Sequence, residues 1–363
     1  MKVLHVVESF GGGIINFVQR LTTMNDQFQH NILYNERELE IAKIMYSFPS
    51  ETKFIKWTYA QREINLKNDF LALLYLYKII KTSSPDVVHL HSTKAGILGQ
   101  FISRLFPKVV FIYSPNGASF ARKDISRLTF VFYILIERLA NYFGHANLVC
   151  VSKSELELYR RFGFHGTFIN NGIETDSLND PRVRNFDELI IVNTGRIADQ
   201  KNPFLFNEIA NLCAINQLPV KFIWIGSGSN ERLLSSRNIR VTGWIPNEEV
   251  LKILHSSSIY LSTSLWEGLS FALLEGMRCK LAILATSCVG NVDLVENDKN
   301  GYLFSLAEEA FRFIENYCHN STLLIKHQEY SYIKLKTEFD ANEMITKYKN
   351  LYNDKYFRKK YKR

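Results

Sequence analysis

The chain has no apolar stretch long enough to cross a bilayer. Its longest apolar run, residues 128–136, is nine residues with one threonine inside it, less than half of the ~20 a spanning helix needs. The run after Met1-Lys2 is five mostly apolar residues, and three residues later comes Gly11-Gly12-Gly13. It is too short for the core of a signal peptide and reads as a first strand. Cysteine is scarce: Cys150, Cys213, Cys279, Cys288 and Cys318, odd in number, with no CxxC and no Cys/His cluster. That spacing argues against a disulfide framework and against zinc, and it fits a reducing cytoplasm. There is no D-x-D motif, so no bound divalent metal is expected. No internal repeat and no low-complexity tract is present.

What remains is an ordinary globular composition, 46% apolar, in a chain of 363 residues. That length suits two domains better than one. Lys and Arg outnumber Asp and Glu by 44 to 36, a net charge of +8. The excess fits an anionic partner: a nucleotide, a lipid phosphate, a membrane surface or nucleic acid.

Apolar runs of strand length alternate with helical patterns. Strands are predicted at residues 3–7, 87–91, 109–113 and 148–151. A second series follows at 189–193, 220–225, 239–242, 259–262 and 281–285. After the glycine turn, Ile14, Ile15, Phe17, Val18 and Leu21 share one face of a helix. The rhythm predicts parallel sheets covered on both faces. It pauses at residues 170–188, rich in Asn, Gly, Pro and charge, which reads as a linker. Ligands of such folds sit at the carboxyl ends of the strands.

Two motifs follow strands of the second series. Gly195-Arg196-Ile197-Ala198-Asp199-Gln200-Lys201-Asn202-Pro203 offers two cations, suited to a diphosphate. Glu267-Gly268-Leu269-Ser270-Phe271-Ala272-Leu273-Leu274-Glu275 offers two carboxylates around a helix start, suited to sugar and ribose hydroxyls. Unpaired amides at a helix start also attract anions. In the first half, Gly11-Gly12-Gly13 precedes a helix, where backbone can approach a ligand closely. His89 and His91 point to one face of one strand, with no third metal ligand nearby in the sequence. His91, nearer the strand end, is the better site candidate.

The Glu267…Glu275 spacing resembles the E-x7-E signature of the retaining GT-B glycosyltransferases of family 4. The Gly195–Pro203 stretch is similar to that family's diphosphate clamp. His89-Leu90-His91-Ser92-Thr93-Lys94-Ala95-Gly96, Val151-Ser152-Lys153-Ser154-Glu155, Asn170-Asn171-Gly172-Ile173 and Asn300-Gly301-Tyr302-Leu303-Phe304 resemble further segments of it, so the likeness spans nearly the whole chain.

The resemblance implies an α/β, GT-B architecture: two Rossmann-like domains with parallel sheets facing across a cleft. An acceptor domain takes residues 1–175, with a final helix at about 341–363 packing back on it. A donor domain takes 176–340. The implied catalytic residues are Arg196, Lys201 and Glu267, the cations gripping the diphosphate. Glu275 would bind ribose, and Glu267 with the amides after Gly268 would hold the donor sugar. Gly12, Gly13, Gly195, Gly226, Ile245, Gly268, Leu269 and Ser270 complete the donor side, with Gly226-Ser227-Gly228 and Trp244-Ile245 bordering the base. His91, Lys94 and Asn116 form the acceptor side.

Two positions depart from the family pattern. Ser270 stands where proline is frequent. In Tyr113-Ser114-Pro115-Asn116-Gly117, Asn116 stands where many members carry a histidine, which removes the usual candidate base while leaving a hydrogen-bonding side chain.

The implied reaction is retaining transfer of a hexosyl unit from a nucleotide sugar, a uridine diphosphate sugar rather than a guanosine one, with no cofactor and no metal. The acceptor would be a lipid-linked saccharide or oligosaccharide in bacterial surface polysaccharide assembly. A nucleotide-sugar 2-epimerase of the same fold, or a non-catalytic nucleotide-sugar-binding subunit, are the competing readings. Expected partners include an anionic membrane surface at the cytoplasmic side, but no nucleic acid. Two segments could meet lipid. One is the basic start at Arg122, Lys123 and Arg127 with its apolar continuation to Ile136, alternatively a core helix with a polar start. The other is the tail, residues 355–363, with six cations among nine residues, alternatively a frayed end.

Overall fold

The computed structural model describes residues 1–24, 27–36, 44–61, 63–176 and 188–361. Most of the expected linker, residues 177–187, and the tail's last two residues, 362–363, lie outside them.

The chain divides into two compact units. The first comprises Met1–Ala121, Ile125–Asn171 and Ala341–Arg363. The second comprises Gly172–Asp340 with Arg122–Asp124.

The first unit is built on a parallel sheet of seven strands in the order β3-β2-β1-β4-β5-β6-β7. These are β1 (Lys2–Phe10), β2 (Gln29–Glu36), β3 (Lys53–Lys56), β4 (Val87–His91), β5 (Val110–Ser114), β6 (Asn147–Cys150) and β7 (Gly166–Phe168). The linking helices are α1 (Gly13–Thr22), α2 (Leu66–Ser83), α3 (Thr93–Ser103), α4 (Arg127–Phe143) and α5 (Lys153–Arg161).

Right-handed crossovers put α1, which leads to one side of β1, on one face of the sheet. The same rule puts α2, α3 and α4, which lead the other way, on the opposite face. Leu4, Val6, Val88, Leu90, Phe111 and Tyr113 pack beneath this second helical layer.

The second unit carries six parallel strands in the order β10-β9-β8-β11-β12-β13. They are β8 (Leu189–Thr194), β9 (Val220–Ile225), β10 (Ile239–Val241), β11 (Ile259–Ser262), β12 (Ala282–Thr286) and β13 (Gly301–Phe304). Its helices are α6 (Pro203–Ile215), α7 (Asn247–Ser256), α8 (Phe271–Arg278), α9 (Asn291–Leu294), α10 (Ala307–His319) and α11 (Ser321–Glu338). Leu189, Ile191, Phe206, Phe222, Trp224 and Ile259 centre its core.

The last helix, α12 (Ala341–Tyr361), returns to the first unit. Tyr348 and Tyr352 are fully buried. The Tyr352 hydroxyl lies 2.7 Å from His89 Nδ1, and that of Tyr348 lies 3.4 Å from Ser114 Oγ. A helix that begins beyond the second unit's strands thus completes the first unit's core.

All nine expected strands are present within a few residues. The pattern missed β2, β3, β7 and β13. β2 carries Gln29, His30, Asn31 and Asn35, whose polarity hides that His30, Ile32, Leu33 and Tyr34 are buried. β13 lies in a segment whose sequence reads as a turn, and its edge position leaves only its ends buried. The tail is α-helical through Tyr361 rather than frayed. Lys359 donates from Nζ to the Val109 carbonyl at 2.5 Å and lies 2.8 Å from His145 Nε2.

Candidate active site

In the second unit the strand order reverses between β8 and β11, which lie side by side although two strands separate them in sequence. A crevice beyond the carboxyl ends at such a point is where open parallel sheets bind ligands. The loop after β8 carries Arg196 and Lys201. The loop after β11 carries Glu267.

Several bonds fasten the two loops together. Lys201 Nζ meets Glu267 Oε1 at 2.8 Å, with both side chains largely buried. Thr263 Oγ1 donates to the Lys201 carbonyl at 2.7 Å, Leu265 N–H to the Gln200 carbonyl at 2.8 Å, and Gln200 Nε2 to the Trp266 carbonyl at 3.1 Å. Burial alone would lower the Lys201 ammonium. The Glu267 and Tyr260 oxygens, with the direct bond to Glu267, outweigh it, and the net shift is upward. Lys201 therefore stays charged in a nearly closed setting. Arg196, by contrast, is exposed and makes no hydrogen bond or ion pair among the described residues.

The loop after β9 closes on the first of these from the other side. Ile197 N–H donates to the Ser227 carbonyl at 3.0 Å, and Trp224 Nε1 donates to the Gly195 carbonyl at 2.9 Å. Gly226 has φ +134°, and a Cβ there would overlap the Gly195 carbonyl. Only glycine permits both the conformation and the approach. Gly195 leaves open the space over which Lys201 lies: a Cβ at Gly195 would stand 3.3 Å from Lys201 Cε. Ile245, beyond β10, is half-buried.

Local rules explain the rest of this neighbourhood. Asn202 adopts φ +48° and caps α6 by accepting the Leu205 N–H, with Pro203 at the first helical position, an arrangement both residues favour. Ser270 caps α8 by accepting the Leu273 N–H. Serine where the family often has proline is thus a helix cap. The Leu269 side chain is buried. Glu275 lies in the second turn of α8 and is half-buried.

The motif pattern missed Tyr260, whose hydroxyl lies 3.0 Å from Thr194 Oγ1 and accepts the Thr194 N–H at 3.2 Å, bracing the start of the clamp. It also missed Gly290, at φ +85°, where a Cβ would stand 2.7 Å from the Gly268 carbonyl and 3.0 Å from Glu267 Cβ. A glycine just after the strand at residues 281–285 was the available signal.

In the first unit the carboxyl ends of β1, β4 and β5 converge. Gly12 has φ +59°, with open space around a Cβ built there, and Gly13 starts α1. Ser92 has φ +77° and ψ 164°, and Asn116 has φ +55°. Such conformations are costly for non-glycine residues and concentrate at functional positions. Ser92 Oγ donates to Glu8, which is buried. Burial raises the Glu8 carboxyl above its ordinary value, against the opposing effect of the Ser92 bond. Glu8 was not singled out in the sequence, where it reads as one acid after a strand. Asn116 Nδ2 donates to the Ser114 carbonyl at 2.9 Å. Gly117 N–H donates to Glu155 at 2.7 Å, which also accepts the Val151 N–H at 2.9 Å.

Two acceptor-side expectations change. His91 is fully buried, and its Nε2 lies 3.0 Å from His5 Nδ1, so in this structure the ring is engaged within the first unit's core and not presented at its surface. Lys94 is ion-paired to Asp69 of α2 at 2.7 Å and reaches the Glu63 carbonyl, so it braces α3 against α2.

The expected lack of a third ligand near His89 and His91 is also corrected. His5, from β1, comes within 4.8 Å of both, measured between ligand nitrogens. The rings are engaged with one another: His5 Nδ1 lies 3.0 Å from His91 Nε2, and His5 Nε2 lies 3.0 Å from His30 Nδ1. His89 lies between Tyr352 and Ser114. Burial pushes all four histidines below their ordinary value, His30 to about 4. Three neutral rings supply three N–H groups, and two close the His30–His5–His91 chain. The third falls on His30 Nε2 or His91 Nδ1, both buried without a hydrogen-bond partner.

Comparison with known proteins agrees with this layout. A family profile described as Glycosyltransferase Family 4 matches residues 46–177, and one described as Glycosyl transferases group 1 matches residues 188–318. A UDP-Gal:alpha-D-GlcNAc-diphosphoundecaprenol alpha-1,3-galactosyltransferase of Escherichia coli is 26% identical over 271 residues, 68% of this chain and 69% of its own. A putative glycosyltransferase EpsD of Bacillus subtilis is 22% identical over 280 residues, 69% of this chain and 72% of its own. Among solved structures, Anabaena HepE in complex with UDP and glucose superposes with a TM-score of 0.76 at 14% identity, covering 98% of this chain and 100% of that one. Sucrose-phosphate synthase from Thermosynechococcus elongatus gives 0.78 at 14% identity, covering 98% and 99%. The structural likeness establishes the GT-B fold. With one profile on each half and both motif loops at the switch point, the chain belongs to the family 4 glycosyltransferases.

Proposed function

We propose that this enzyme transfers a hexosyl unit, with retention, from a uridine diphosphate sugar to a hydroxyl of a lipid-linked saccharide. The observation that carries this reading is the Lys201–Glu267 pair at the sheet's switch point, with the exposed Arg196, unpaired among the described residues, on the same loop. Arg196 and Lys201 take the diphosphate, which gains charge as the glycosidic bond breaks, and fixed cations stabilise that charge. Arg196 supplies the planar fork and Lys201 the point charge. Glu267 accepts from donor-sugar hydroxyls while holding Lys201, and Glu275 binds the ribose. The Gly268–Ser270 backbone borders the sugar, with Gly226 and Ile245 near the base. The leaving phosphate helps to deprotonate the acceptor hydroxyl, Gly12 and Gly13 border the donor, and Glu8, Ser92 and Asn116 of the first unit hold the acceptor. The cations handle the charge without a metal. The uridine and lipid-linked assignments draw support from the Escherichia coli relative and from the UDP complex of HepE. The enzyme works at the cytoplasmic side of an anionic membrane, and no helix among the described residues is long and apolar enough to cross one.

The test is turnover of uridine diphosphate sugars with a polyprenyl-diphosphate N-acetylglucosamine acceptor. The expected result is an acceptor heavier by one hexose, with the linkage configuration of the donor. Conversion of the sugar nucleotide with no acceptor present would instead identify an epimerase. An inverted product would overturn the retaining mechanism.

A further inference from the structure

The helical layer α2–α3–α4 covers one face of the first sheet, and its outer surface is unusual in both charge and polarity. On α4, Leu128, Val131, Leu135, Leu139 and Tyr142 are all about half or more exposed, Leu128 at 84%. Their spacings of three and four residues make one stripe, roughly 21 Å long at 1.5 Å per residue. The adjoining helices continue it with Phe70 and Leu74 on α2 and with Phe101 and Leu105 at the end of α3. The helices are neighbours: Arg104 donates to the Tyr142 carbonyl at 3.0 Å, and Lys94 of α3 pairs with Asp69 of α2. Apolar surface of this extent on one face marks a contact site.

Charge identifies the occupant. The exposed charges of this layer are Lys67, Lys78, Lys81, Arg104, Arg127 and Arg138. Among the described residues of the three helices there are two acids, and neither reaches the surface as a free charge. Asp69 is held by Lys94, and Glu137 is buried, accepting from Tyr159 at 2.9 Å and Ser119 at 3.1 Å. Acids are nearly as numerous as bases in the whole chain, 36 against 44, so an all-cationic face is a local property. An apolar stripe whose helices carry six exposed cations and, among the described residues, no free acid matches an anionic bilayer surface, with the exposed Glu63 and Asp124 only at its edges, before α2 and α4. Rings and aliphatic chains enter the acyl boundary, and Lys and Arg stay with the headgroups.

We infer that the α2–α3–α4 face seats this protein on an anionic lipid bilayer, with the α4 stripe lying in the plane of the interface. The inference deepens the proposed transfer to a lipid-linked acceptor, which a seated enzyme meets at the surface. It also places the contact away from the tail, where Lys359 is already tied to Val109 and His145.

The experiment is co-sedimentation of the full chain with vesicles of phosphatidylcholine alone or mixed with phosphatidylglycerol. The native protein is expected on the mixed vesicles, released by high salt. The triple variant Leu128→Glu, Leu135→Glu, Leu139→Glu is expected to bind roughly 100-fold more weakly or worse, since three acids are repelled where each cation contributes about tenfold or less. Lys67→Gln with Lys78→Gln and Arg127→Gln, which leaves the apolar stripe intact, is expected to bind more weakly and with less salt dependence. Lys355→Gln with Arg358→Gln and Lys360→Gln is expected to bind within about threefold of native. Equal binding by the native protein and both face variants overturns the inference, as does loss confined to the tail variant. A native protein that ignores vesicles but self-associates, with the triple variant monomeric, assigns the face to a second copy and overturns it too. Thermal stabilisation by UDP, read on every variant, reports the donor site separately. Its retention by a variant that leaves the vesicles isolates the membrane contact, and its absence from the native protein counts against the donor reading alone.

Discussion

Lys201 and Glu267, 66 residues apart, meet at 2.8 Å with little solvent around either side chain. A cation assigned to phosphate and a carboxylate assigned to sugar are therefore one electrostatic unit. Breaking a buried pair leaves an uncompensated charge, at a cost of about 3 kcal/mol, whereas replacing both members with apolar residues of like volume is close to neutral. Lys201→Met and Glu267→Met are each expected to destabilise by that order, and the double variant by clearly less than the sum. Chemical denaturation of the four proteins gives the coupling, and strictly additive effects would show the pair to be a coincidence of rotamers.

Arg196 offers the contrasting case. Its side chain is exposed and unpaired among the described residues, so Arg196→Ala is expected to leave stability within about 0.5 kcal/mol. Turnover is expected to fall by about 10²-fold or more, the scale for losing one transition-state contact. Near-native turnover with a saturating donor would remove Arg196 from the diphosphate site.

Gly226 tests whether the clamp needs its exact backbone path. Alanine there must displace the Gly195 carbonyl and adopt φ near +134°, a conformation that L residues avoid. Gly226→Ala is expected to abolish thermal stabilisation by UDP while the protein still folds, because the strain can be relieved by moving the loop. A native-like UDP shift would mean that the loop after β8 does not set the site.

The buried histidines and Glu137 oppose each other in pH dependence. His5, His30, His89 and His91 have folded values below the ordinary 6.5, so their neutral forms support folding above pH 6.5 and that support is lost as pH falls. Glu137 is raised by burial to about 7, so its support is full below pH 4.5 and is lost as pH rises through 7, about 3 kcal/mol in all. Each differential proton is worth about 1.4 kcal/mol per pH unit, and four histidines outweigh the two raised carboxyls, Glu137 and Glu8, below pH 6.5. Stability is expected to peak near neutrality and to fall steeply toward pH 5. Glu137→Gln is expected to stabilise the protein at pH 8 and not at pH 4.5. Denaturation midpoints across pH check both, and a flat profile between pH 7 and 5 would contradict the histidine assignment.

Activity in excess EDTA is expected to persist, since Arg196 and Lys201 are assigned the charge of the leaving diphosphate. Loss restored by Mg²⁺ or Mn²⁺ would show that a metal shares that work.

The sequence by itself determined the alternation of strands and helices, because buried parallel strands are apolar throughout and their helices repeat every three to four residues. It also determined where Arg196, Lys201, Glu267 and Glu275 fall, since glycine turns and helix caps are local chemistry. The polar strand β2 and the short edge strands β3, β7 and β13 escaped it, because their burial comes from neighbours and not from their own composition. Only the tertiary structure decided what depends on strand order. Putting β8 beside β11 pairs Lys201 with Glu267. Putting β1 between β2 and β4 gathers His5, His30, His89 and His91 into one buried cluster and draws the His91 ring into the core. Folding α12 back brings Tyr348 and Tyr352 onto that cluster, and laying α2, α3 and α4 side by side joins three separate apolar stripes into one face whose exposed helical charges, among the described residues, are cations. Contacts between residues tens or hundreds of positions apart leave no periodicity in a chain, and hydrogen bonds, ion pairs and surface patches of that kind appear only when the sheets are assembled.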